Sequence, residues 1–108
     1  MENKSPFLAM QRVEGQLKGI LRTLDTDLLS TEEKKLVGSL KRLSIDARLD
    51  IRDYELSETR EEQLRCAAAA TKKLKKLEAA ILATGSLLGA ADVAQLTAQM
   101  QQIEGRLL

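Results

Sequence analysis

Apolar residues recur at intervals of three and four along most of this chain. Met10, Val13, Leu17, Ile20 and Leu24 keep that spacing, as do Leu36, Leu40, Leu43, Ala47, Ile51 and Tyr54. Ala67, Ala70, Leu74, Leu77 and Ile81 form a third set, and Val93, Leu96, Met100, Ile103 and Leu107 a fourth. At 3.6 residues per turn each set lies along one face of an α-helix. Little breaks the pattern: proline occurs once, at Pro6, and no glycine lies between Gly38 and Gly85. Twenty Leu and 13 Ala stand against eight Val or Ile, with 2% aromatic residues, a balance that disfavours sheets. The expected fold class is all-α, a bundle of three or four amphipathic helices. They form one helical domain over residues 1–108, with residues 1–4 frayed.

Capping signals place the helix ends. Ser5 reads as an N-cap with Pro6 at the first helical position, opening a helix that runs to about Leu28. Ser30 and Glu33 have the capping-box spacing and open a second helix at about Thr31. Thr59 and Glu62 repeat that form. An unbroken helix from 31 to 84 would be about 80 Å long; globular helices are seldom so long, so a break near Ser57 is expected. Gly85 is the expected C-terminal stop of the third helix. Ser86 to Gly89 then form a tight connection or an early turn of the last helix.

Composition excludes several kinds of chemistry. The chain has no His, the commonest general acid–base and transition-metal ligand, and its one Cys, Cys66, allows no multi-thiolate site. Cys66 reads as a small core or boundary residue. No glycine lies within two residues of another, so no phosphate loop is present. Carboxylates are scattered over charged faces, and none is read as lying in an apolar stripe with a partner. The expectation is a non-enzyme without cofactor or metal. Seventeen Lys and Arg against 16 Asp and Glu give a net charge of +1, no global pull toward polyanions. No apolar run approaches the ~20 residues of a membrane span, so a cytoplasmic protein without membrane contact is expected.

Three sets of residues remain as binding candidates. Ile45, Leu49 and Leu56 lie on the far side of the second helix from its main stripe, as in helices buried within an oligomer. The seam of the last helix and the glycine face of the first are further docking candidates. Gly15 and Gly19, inside the first helix, each cost about 1 kcal/mol relative to Ala and share a face with Arg12, Gln16 and Arg22. That face reads either as the close approach of another helix or as a contact face for a partner or nucleic-acid backbone. The basic set Arg65, Lys72, Lys73, Lys75 and Lys76 lies away from the third stripe. It reads as a solvated face or as a phosphate-contacting patch, partly offset by acidic residues from Asp46 to Glu62.

The segment Arg12-Val13-Glu14-Gly15-Gln16-Leu17-Lys18-Gly19-Ile20 resembles the first helix of the copper-sensing CsoR/RcnR-type repressors. The resemblance covers nine residues. It implies an all-α fold, dimers or tetramers, and operator binding in which Arg12 takes the place of a DNA-contacting Arg, with Gly15, Gln16 and Gly19 on the same surface. Metal sensing does not carry over: setting Cys66 at the family's second Cys puts Glu62 at its His and Val37 at its first Cys.

Two readings follow. The favoured one is a non-enzymatic helical interaction module, a homo-oligomer that self-associates or docks on a protein partner. The alternative is a DNA-binding transcriptional regulator of the resembled type, without the metal site.

Overall fold

A computed structural model describes residues 5–107; the expected fraying of residues 1–4 lies outside them. Five α-helices follow one another: α1 (Pro6–Arg22), α2 (Thr31–Leu56), α3 (Arg60–Ala83), the single-turn α4 (Gly85–Leu88) and α5 (Ala90–Glu104). A 3-10 turn at Thr26–Leu28 joins α1 to α2. No strand occurs among the described residues.

The helices start where the capping signals put them. Ser5 Oγ accepts from the Phe7 and Leu8 amides. Ser30 and Glu33 complete a reciprocal capping box, and Thr59 Oγ1 accepts from the Glu62 amide at 3.1 Å. Each cap satisfies amides that have no intrahelical acceptor. The break between α2 and α3 falls at Ser57–Thr59. There the backbone turns extended at Ser57, whose hydroxyl bonds back to the Asp53 carbonyl at 2.7 Å.

One expected end needs correction. The first helix stops at Arg22, not near Leu28. The Thr23 hydroxyl donates to the Ile20 carbonyl at 2.6 Å, and Asp25 caps the following 3-10 turn. The third helix does stop at Gly85, ending at Ala83 with Thr84 as its C-cap, and Gly85 then opens the single turn α4. The left-handed residue is Gly89, φ +95°, between α4 and α5. A side chain is strained at that φ, which glycine adopts freely.

Polar contacts fix the directions. Phe7 N donates to Glu55 Oε2 at 2.8 Å, so α1 begins beside the end of α2. Lys73 Nζ lies 3.8 Å from Asp46 and 3.9 Å from Asp50, and Lys75 Nζ donates to Glu104 Oε1 at 3.3 Å. Neighbours are therefore antiparallel, and α1, α2, α3 and α5 surround the core in that order, with α5 closing against both α3 and α1. This is an up-down-up-down four-helix bundle, with α4 as the turn before its last member.

The core is aliphatic. Met10, Val13, Leu17, Leu40, Ile51, Leu74, Leu77, Ile81, Leu96, Met100 and Ile103 are all essentially buried. The third stripe is reproduced without exception: Ala67, Ala70, Leu74, Leu77 and Ile81 are each fully buried. On α1 the buried face is rotated slightly from the expected one. Leu21 and Glu14 are buried, whereas Ile20 is only half-buried, as is Leu24 beyond the helix end. The seam of the last helix, offered above for docking, lies inside the bundle: Leu96, Met100, Ile103 and Leu107 are buried.

Candidate interaction faces

α1 carries its cations outward. Arg12, Gly15, Lys18, Gly19 and Arg22 are exposed, and Gln16 is half-buried. A Cβ added at Gly15 or Gly19 would meet nothing within 4 Å among the described residues, so no helix packs directly on the glycines; Gly19 lines an open cleft of about 380 Å³ whose other wall includes Leu88 of α4 and Asp92 and Leu96 of α5. Close helix packing as their reason is therefore not realised within the chain. The one carboxylate of α1, Glu14, does not share this surface.

Glu14 corrects the expectation that no carboxylate lies in an apolar stripe with a partner. It is 7% exposed, between Met10 and Leu17 on the buried face, and its Oε1 lies 2.8 Å from Arg48 Nε of α2. Lys18 Nζ stands at 4.0 Å on the solvent side. The charge at the middle of the Arg-Val-Glu-Gly-Gln segment therefore ties α1 to α2. A three-four count of apolar residues alone passes over it; the Arg48 position one helix away is the only signal that would have found it.

Ile45 and Leu56 project from α2 at 38% and 69% exposure, and Leu49 between them is half-buried. Among the described residues nothing covers Ile45 and Leu56 fully, whereas Leu49 is partly covered. Beside Ile45, α1 and α2 diverge into an open groove of about 370 Å³. Leu17, Leu21 and Ile45 contribute its apolar lining and Lys18, Arg22 and Lys41 its cations, with no carboxylate among the lining residues.

The basic set of α3 does not act as one patch. Lys73 turns to the Asp46 and Asp50 carboxylates of α2, and Lys75 to Glu104 beyond the other edge of α3. Arg65, Lys72 and Lys76 stay on the outer face. Burial raises the Asp50 carboxyl, an effect that Lys73 opposes and the charges of Asp53 and Asp46 reinforce.

An acidic pair between α3 and α5 was not foreseen. Burial pushes Glu78 of α3 up to about 7, aided by a hydrogen bond with Glu104 of α5 and by its charge, while Gln101 and Lys75 act the other way. Two carboxyls meeting in a partly buried seam favour holding a proton.

Cys66 is half-buried and receives a weak contact from Ser57 Oγ at 3.6 Å. Val37, the residue aligned with the family's first Cys, lies near the other end of α2, about 30 Å along the helix from Ser57. Among the described residues no group of three or more His, Cys, Asp or Glu is placed to hold a metal ion, and no helix is long and apolar enough to cross a membrane.

No family model matches this chain, and neither does any curated protein or solved structure.

Proposed function

We propose that the chain is a non-enzymatic, cytoplasmic helical interaction module that self-associates through the outer face of α2. One observation carries this reading: Ile45 and Leu56, 38% and 69% exposed, flank the half-buried Leu49 on the outward face of α2. Neighbouring exposed apolar side chains lose water contact only when a partner arrives. Sedimentation of the purified protein across micromolar concentrations tests it. A concentration-dependent dimer is the expected outcome, and a strict monomer overturns it.

A second reading rests on α1. Its outward surface carries Arg12, Lys18 and Arg22 around two open glycines, and its only carboxylate is buried. That is a surface for a phosphate backbone, and it agrees with the resemblance to DNA-binding repressors. Duplex binding that weakens steeply with salt is expected, and Arg12→Ala lowers it without unfolding the bundle. No shift of any duplex at low salt removes this reading.

A further inference from the structure

We infer that the occupant of the cation-rimmed groove between α1 and α2 is a second copy of this chain, docked antiparallel, with its Leu56 seated beside Ile45. The inference rests on the self-association reading and adds its geometry.

Spacing gives the first argument. Ile45, Leu49, Arg52 and Leu56 follow one another at four, three and four residues on the outward side of α2, with Leu49 half-buried and the other three exposed. That is the spacing of an interhelical seam. Read in the opposite direction it is again four, three, four. Two antiparallel copies therefore match with Ile45 of each opposite Leu56 of the other, and Leu49 opposite Arg52. Long Arg side chains are suited to the edge of such a contact, where the stem packs and the guanidinium reaches water.

Charge gives the second argument, and it selects the direction. The first half of α2 is basic on balance, with Lys34, Lys35, Lys41 and Arg42 exposed against Glu32 and the half-buried Glu33 of its first turn. Its end and the start of α3 are acidic on balance: Asp53, Glu55, Glu58, Glu61 and Glu62 are exposed beside Arg52 and Arg60, although the Glu55 carboxylate already accepts from Phe7 N. A parallel pairing sets like charges side by side. Antiparallel pairing brings the acidic end of one copy onto the basic half of the other.

The groove gives the third argument. Its lining combines apolar side chains with Lys18, Arg22 and Lys41 and includes no carboxylate. Leu56, 69% exposed and flanked by Glu55 and Glu58, offers the complementary shape and sign. Both halves of the match are on one chain, as a two-fold interface requires.

The test uses the full chain with Cys66→Ser to remove the native thiol. Ile45→Cys and Leu56→Cys are made in separate chains, one of them tagged, mixed and oxidised, with circular dichroism to verify the helical fold. Both substitutions fall on the surface. Mixed Ile45→Cys/Leu56→Cys crosslinks at several times the yield of either like pair are expected. In parallel, Lys41→Glu is expected to weaken dimerisation at least tenfold at low salt, and Glu58→Lys in the same chain to restore most of it. A dimer that crosslinks preferentially through like pairs overturns the antiparallel geometry while leaving self-association standing. A chain that sediments as a monomer at every concentration overturns both.

Discussion

Glu14 and Arg48 form a lopsided ion pair: their charged atoms are 2.8 Å apart, but the Glu14 side chain is 9% exposed and that of Arg48 27%. The asymmetry decides what happens when either is removed. Arg48→Ala leaves a buried carboxylate with only Lys18 at 4.0 Å, and is expected to cost about 3 kcal/mol. Glu14→Ala leaves a guanidinium already partly in water and is expected to cost about half as much. Urea denaturation of the two variants gives the comparison; equal losses would contradict the burial difference as the cause.

The two glycines of α1 separate stability from binding. Their helical positions are sterically open, so Gly15→Ala and Gly19→Ala are each expected to stabilise the fold by about 0.5–1 kcal/mol. A partner that approaches the backbone there is expected to bind these variants less well. Thermal melts measure the first effect, and titration with duplex DNA the second.

Glu78 gives the fold a pH dependence with a definite sign. Its folded pKa, about 7, lies above the ordinary 4.5, so the folded state holds the proton more tightly than the unfolded one. The resulting stabilisation is fully present below 4.5 and is lost as pH rises through about 7. Glu78→Gln is expected to flatten the stability profile between those values and to raise stability at pH 8 relative to the parent. Denaturation midpoints of both proteins across that range provide the test. An unchanged slope would mean that the pair with Glu104 does not share a proton in solution.

Two leucines of α3 test the core directly. Leu74 is fully buried and Leu82 is 64% exposed. Leu74→Ala is expected to cost about 2–5 kcal/mol by combining lost burial with a cavity. Leu82→Ala is expected to change stability by less than about 0.5 kcal/mol. Chemical denaturation distinguishes them.

How legible all this was depended on how local its cause is. Caps at Ser5, Ser30 and Thr59 need only residues two or three positions away, and all three hydroxyls cap as read, with the reciprocal box completed at Ser30–Glu33 but not at Thr59–Glu62. The third stripe was equally plain, because α3 buries one narrow face of Ala and Leu. Choices that depend on the neighbouring helix were not legible. Whether Leu21 or Ile20 is the deeper residue depends on where α2 and α5 flank α1. The division of Lys73 from Lys75 depends on α2 and α5 lying on opposite sides of α3. Glu14 was missed for the same reason, since its burial requires Arg48 from another helix. Of the outward apolar residues of α2, Ile45 and Leu56 are exposed as the second stripe implied, whereas Leu49 is half covered by the fold itself.

The closure of α5 against α1 makes the bundle nearly a ring. Ala9 and Arg12 line the same small cleft as Gln102 and Arg106, so the end of α5 lies close to the start of α1. The order of the helices round the core therefore matters more than where the chain is cut. Joining the two ends with a short flexible linker and opening the exposed turn near Asp27 would leave the four pairings in place. Such a rearranged chain would present the outer face of α2 unchanged while moving its free ends to the opposite end of the molecule.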